Sequence, residues 1–310
     1  MSAAVPTTHR PGGDDGHPAV PPVISDPTLR ARRRRGGRDR GWGTAATTTA
    51  LWLYAAVAIV PLLIMLLNSL RTNRDLATQP LGLPLQPDFT SYQRAWIEAS
   101  FSTYFMNSII VTVSSVVIAT GVSLLAAYAL ARAKGRLMSV VEAVFVSGLM
   151  MPVFLMIVPI FYLLDSFGLI SSRLGLVMVY AAVSVPFSVF VLTTFFRQLP
   201  GELEEAARLD GAGPFRMFWS VMAPLVRPAI ATVVVFRFVP IWNDFFYPLI
   251  LIRNRENYTL PVGLTTFFGE YQTDWSTLFA GLVIATLPLI LLFLVATKQI
   301  IAGLTSGMGK

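Results

Sequence analysis

Long apolar runs alternate with short polar stretches from residue 44 to the C-terminus. The runs fall at 44–67, 106–131, 140–164, 174–196, 225–252 and 277–301. About 20 apolar residues cross the hydrocarbon core as a helix, so the pattern predicts six transmembrane helices and an all-α, polytopic membrane protein. No run is long enough to split into a seventh. Pro61, Pro152, Pro159, Pro186, Pro240, Pro248 and Pro288 fall inside spans. Each removes a backbone donor and tends to kink its helix, and in lipid the freed carbonyls need partners from neighbouring helices or water. Kinked helices suit a cavity that opens and closes, although proline is also commoner in membrane helices generally.

Residues 1–41 lack this pattern. They are rich in Pro, Gly, Asp and Arg and close on "RARRRRGGRDR". Such a segment buries too little surface to fold alone, so it reads as a disordered basic tail, leaving 42–310 as the membrane domain. An arginine run beside a first span holds that side in the cytoplasm and touches anionic lipid. With the N-terminus inside, 17 of the 24 Lys and Arg residues fall on the cytoplasmic side and six outside, with Arg237 inside a span. Both termini are then cytoplasmic. Without the tail the contrast narrows to nine against six.

Composition agrees and removes several chemistries. The chain is 54% hydrophobic and only 13% charged, where a soluble domain averages about 25% charged. There is no cysteine, and the two histidines, His9 and His17, lie in the tail. The apolar body therefore has no thiolate or imidazole for a metal site or a catalytic dyad. The net charge of +7 reflects the basic cytoplasmic side rather than a nucleic-acid partner. None of the three lysines completes a G-x-x-x-x-G-K-[ST] phosphate loop.

One polar segment, "EEAARLDGAG" at Glu204–Gly213, stands out on the predicted cytoplasmic side between the fourth and fifth spans. Pro200 and Gly201 end the preceding helix. Glu202, Glu204 and Glu205 fill a new first turn, where negative charge suits the helix dipole. Leu203, Ala206 and Ala207 share a narrow apolar face at three-and-four spacing, and Gly211 and Gly213 end the helix. Phe215, Phe218 and Trp219 repeat that spacing in "PFRMFWSVM". The loop, about 197–224, thus reads as two short helices with a glycine hinge. Helices lying on lipid usually carry Lys and Arg on the polar face. This one is acidic, which favours a protein partner.

The loop resembles the EAA loop of permease subunits in bacterial ABC importers, whose pattern is EAA, three residues, Gly, nine residues, then I-x-L-P. Here it reads Glu205-Ala206-Ala207, three residues, Gly211, nine residues, then Val221-Met222-Ala223-Pro224. Val221 and Ala223 replace the usual Ile and Leu. "NSIIVT" at the second span, "WNDFFYPLIL", "YTLPVGL" and the terminal "KQIIAGLTSGMGK" look like the carbohydrate-uptake branch, the maltose-type or MalG-like permeases. The resemblance covers about 44–310 and leaves out the tail. It implies a MetI-like permease fold and a transport subunit, not an enzyme, in a bacterial cytoplasmic (inner) membrane. It further implies that Glu205, Ala206, Ala207, Asp210 and Gly211 sit in a groove of a separate ATPase. The implied partners are an ATP-binding subunit dimer, a second and different (MalF-like) permease chain, and an extracytoplasmic sugar-binding protein. ATP is then bound by the partner, and the chain needs no cofactor of its own.

Within the spans, Arg237 and Asp244 lie seven residues apart, on nearly the same helical face. Intramembrane charge is a functional hypothesis by default, so both are candidates for the translocation path. Trp242 and Asn243 join them, since an indole beside an amide can stack on and hydrogen-bond a sugar; an interfacial tryptophan belt is the competing reading. An ion-coupled secondary transporter is the alternative class. It needs ion-coordinating groups deep in the membrane, and only Asp244 qualifies. A membrane enzyme would need a nucleophile–base pair or metal ligands, which the spans lack. A scaffold binding a partner through the acidic loop is a minor reading.

Overall fold

The structure, a computed structural model, describes residues 39–80, 82–268 and 274–306. Of the expected disordered tail, residues 1–41, residues 1–38 lie outside the described residues, and 39–41 instead form the first turn of a helix. The chain divides into two compact units, residues 1–60 and 61–310. The principal helices are α1 (Asp39–Ser69), α2 (Phe101–Arg132), α3 (Arg136–Leu149), α4 (Ile157–Ser166), α5 (Arg173–Gln198), α6 (Glu202–Leu209), α7 (Arg227–Trp242), α8 (Phe246–Leu251) and α9 (Trp275–Ser306). Among the described residues α1, α2, α5 and α9 are each long and apolar enough to cross a membrane unaided.

The other two expected spans are broken. The run 140–164 is not one helix: α3 stops at Leu149, and Val153–Ser166 departs from it at 95°. Pro152 lies in the break with extended backbone, φ −70° and ψ 110°. It disfavours helix for Met151 before it and offers no N–H to the turn behind. The run 225–252 is also interrupted. The 16 residues of α7 rise about 24 Å at 1.5 Å per residue, short of a hydrocarbon core of about 30 Å. The chain then breaks at 243–245 and resumes as α8. At its other end α7 meets the helical segment Pro214–Leu225 at 72°.

The second unit is organised on the pairing of α2 with α5. Ser108, Ser115, Ala119, Ser123 and Ala127 form a buried small-residue seam along α2. Small residues let two backbones approach closely, and their hydroxyls can bond across the gap. Ser115 Oγ donates to the Val177 carbonyl at 3.3 Å and Ser123 Oγ to the Val185 carbonyl at 3.4 Å. Gly148 makes a similar close approach of α3 to α5: an added Cβ would stand 3.0 Å from Pro186 Cγ. At the C-terminal end of α2, Leu192, Phe196, Met217, Phe218 and Met222 pack together under the loop that follows α5. At its N-terminal end, Phe101, Tyr104, Trp242, Leu260 and Leu278 form a separate core.

The N-terminal end of α2 is closed by polar contacts between distant segments. The Asp274 carboxylate accepts from Asn73 Nδ2 at 2.7 Å, Ser276 Oγ at 3.0 Å, and Thr277 Oγ1 and N at 2.6 and 3.0 Å. Burial raises its pKa, but the hydrogen bonds from Thr277, Asn73 and Ser276 outweigh that and hold it below the usual carboxylate range. Nearby, Asn107 Nδ2 donates to the carbonyls of Glu256 and Tyr258, and Arg173 donates to Asn107 Oδ1.

Candidate functional site

The polar loop after α5 forms the short acidic helix and glycine stop that its sequence predicts. Three glutamates fill the first turn of α6. The helix ends in a Schellman motif: Gly211 takes φ +78°, its N–H reaches the Arg208 carbonyl at 3.0 Å, and the Ala212 N–H reaches Ala207 at 2.9 Å. Beyond its chain neighbours, no heavy atom lies within 4 Å of a Cβ built on Gly211, so glycine is favoured there by backbone angle and not by space. Gly213 plays a different part from the one expected. Its φ is −68°, and it precedes Pro214, the first residue of the next helical segment. That segment passes through a π-helical turn at Met217–Met222. The wide turn directs Met217, Phe218 and Met222 into the core while Phe215 and Trp219 stay exposed.

The buried face of α6 differs from the expected one. Glu204 and Ala207 face inward at 8% and 7% exposure, whereas Leu203 and Ala206 are exposed. The cause is a partner that periodicity does not reveal. Arg132, in the last turn of α2, donates from Nε to Glu204 Oε1 at 2.6 Å and from Nη2 to the Leu199 carbonyl at 3.2 Å. One guanidinium therefore ties α6 to the ends of α2 and α5. Tyr128, one turn back, packs its ring on Phe196 and Phe218 at 5.5 and 5.2 Å. Arg197 adds a bidentate bond to Glu142 at 2.7 Å for each arm, joining α5 to α3. Of the loop residues singled out by sequence, Glu205, Ala206, Asp210 and Gly211 are exposed and Ala207 is buried. Leu209 at 89% and Phe215 at 78% exposure add an apolar surface to the acidic one.

The intramembrane candidates separate. Arg237 and Asp244 line a common cavity of about 240 Å³ with Val153, Phe154, Tyr180 and Tyr247. Asp244 does not continue the face of α7, because it lies past the helix end. Its carboxylate accepts from Tyr180 Oη at 2.6 Å and from the N–H groups of Phe246 and Tyr247 at 3.0 and 3.3 Å, holding the first turn of α8. Trp242 is turned elsewhere. It is 2% exposed, stacks on Phe238 at 5.7 Å, and donates from Nε1 to the Ala285 carbonyl at 3.1 Å. Its indole is thus committed to α9, contrary to the path-lining expectation. Asn243 is exposed and turns its amide back to the Val239 carbonyl. Tyr180 was not singled out by sequence. Its only signal is a tyrosine within an apolar span.

The broken spans, the short acidic helix with its left-handed glycine, and the six apolar segments together match a known architecture. Residues 119–305, more than half the chain, match the binding-protein-dependent transport system inner membrane component family. This chain belongs to that family. It is 36% identical over 265 residues, covering 85% of this chain and 88% of the relative, to the diacetylchitobiose uptake system permease protein NgcG of Streptomyces coelicolor. It is 32% identical to the melibiose/raffinose/stachyose import permease protein MelC of Bacillus subtilis, covering 83% of this chain and 94% of that one. Among solved structures it resembles a chain of a bacterial ABC transporter involved in the import of the acidic polysaccharide alginate. The TM-score is 0.75 at 26% identity, covering 84% of this chain and 97% of that chain. The protein is therefore a multi-pass permease of the ABC-importer type, and the ion-coupled alternative falls away.

Proposed function

We propose that this chain is one permease subunit of an ATP-driven importer for a carbohydrate, coupled through Glu202–Met222 to a separate ATPase. The observation that carries the coupling part is the loop itself. A short acidic helix, a glycine in left-handed backbone and an exposed apolar flank of Leu209 and Phe215 stand on a buried base of Ala207, Phe218 and Met222. The carbohydrate assignment is supported by the saccharide substrates named for the relatives. The same reading puts both termini in the cytoplasm. It gives the complex a second, different permease chain, an ATPase dimer that binds the ATP, and an extracytoplasmic sugar-binding protein.

The mechanism is mechanical. ATP closes the ATPase dimer, and α6 moves with it. Arg132 and the core beneath the loop pass the displacement to α2 and α5. Because α3–α4 and α7–α8 are broken rather than straight, they can swing about their breaks while α2 and α5 stay paired. ATP then shifts a two-state equilibrium between inward and outward cavities through differential binding to the two states. Arg237 and Asp244 line the path. Enlarging Ala207 to Phe tests this reading, since overpacking a full site costs about 1–3 kcal/mol and would tilt α6 off its base. The expected outcome is loss of sugar uptake with normal membrane levels, whereas full uptake by A207F would remove the loop from the mechanism.

A further inference from the structure

Arg237 is a charged group within a span that coupling does not use. Its guanidinium carbon lies 4.0 Å from the centre of the Phe187 ring. Its Nε is buried without a hydrogen-bond partner among the described residues. The ion pairs among those residues join other groups. Asp244 shares the cavity but already receives three donors of its own, from Tyr180, Phe246 and Tyr247. Arg237 also lines a second cavity of about 580 Å³ whose other walls, among the described residues, carry no charge.

A guanidinium among apolar walls needs acceptors, because desolvating a charge costs several kcal/mol unless it is paired. Its five N–H donors form a planar fork that meets a carboxylate with two bonds at a time and can also converge on the two lone pairs of one carbonyl oxygen. A neutral hydroxyl oxygen is a weaker acceptor for a charged donor than a carboxylate or the polarised carbonyl of an amide. The smaller cavity adds ring surfaces. Phe154 meets Phe246 at 4.9 Å and Tyr180 meets Tyr247 at 5.8 Å, both edge to face. Its 240 Å³ is below the roughly 300–1,000 Å³ of pockets that enclose drug-sized ligands, which suits one ring rather than a chain.

We propose that Arg237 reads a planar carbon–oxygen acceptor on the transported sugar, either the carboxylate of a uronic acid or the acetamido carbonyl of an amino sugar. Arg237 is then a specificity-determining residue, and this assignment rests on the carbohydrate-importer reading above. The test uses the whole complex with its own binding protein in proteoliposomes. Uptake of three disaccharides of equal ring size, one neutral, one uronic and one acetamido, is compared for wild type, R237K and R237Q. The binding protein is common to every arm, so its selectivity cancels in the ratio of variant to wild type.

The expected result is a KM for the uronic or the acetamido sugar that rises at least tenfold relative to the neutral one in R237Q. Partial recovery in R237K, which keeps the charge but not the fork, points to the carboxylate; no recovery points to the carbonyl. Equal changes for all three sugars, or no change, would overturn the assignment and leave Arg237 to a partner chain or to packing. A wild-type complex that carries only the neutral sugar would overturn it as well. A wild-type complex that carries none of the three overturns the carbohydrate reading and this inference with it.

Discussion

Gly211 shows how a single backbone angle ends a helix. Left-handed backbone costs a residue with a Cβ about 1–2 kcal/mol, and asparagine tolerates it better than most. No side chain crowds the position, so substitutions there differ by angle alone. Gly211→Asn is expected to transport close to wild type, and Gly211→Val to lose up to about tenfold, the equivalent of 1.4 kcal/mol, measured as uptake per amount of protein in the membrane. Gly263 is a glycine of the opposite kind. Its backbone is ordinary, but an added Cβ would overlap the Tyr104 ring. Gly263→Ala is expected to lower Tm in detergent, by an overpacking cost of about 1–3 kcal/mol, while Gly121→Ala, with open space around it, is expected not to. At this scale the sequence was informative about residue type and poor on direction. The glycines and the charges could be picked out, but that Trp242 points to α9 and Glu204 points inward depends on partners 43 and 72 residues away.

Elements were legible where a local property defines them. The four unbroken spans follow from apolar run length, because a helix must satisfy its own backbone in lipid. The breaks at Pro152 and at 243–245 were visible as prolines and polar residues inside runs, yet hydropathy carries no bond angle, and neither the 95° bend nor the end of α7 at Trp242 could be read from it. The joint between elements is the Arg132–Glu204 pair, with side chains 23% and 11% exposed. Removing one partner strands the other charge in a part-buried site, at less than the roughly 3–5 kcal/mol of a fully buried pair. R132Q or E204Q is expected to retain ATP hydrolysis in the assembled complex but to lower sugar moved per ATP several-fold, and the exchanged pair R132E/E204R to restore part of it. Variants as well coupled as wild type would show that the pair only shapes the loop. At the far end of α2, Asp274 gives a pH dependence. Its folded-state pKa is depressed, so its contribution is present above the unfolded value of about 3.9 and is lost as pH falls through the lower folded value. Hydrogen exchange at 274–278 should rise over that acid window in wild type, and D274N should already be loosened at neutral pH with little further change.

The larger unit combines a closely packed α2–α5 pair, two broken spans, and a polar loop mounted on the ends of that pair. On the proposed reading the chain holds a path and moves when a partner ATPase moves it. Its family membership makes it a transport permease, and in the proposed function its exposed acidic loop is the part that meets the ATPase. The most direct measurement is therefore to purify the full-length tagged chain from its native membrane in mild detergent and to quantify what accompanies it. An ATPase and a second, different six-span permease in stoichiometric amounts are the predicted result. A chain that purifies alone under those conditions, with uptake intact in the cells it came from, would contradict coupling through Glu202–Met222.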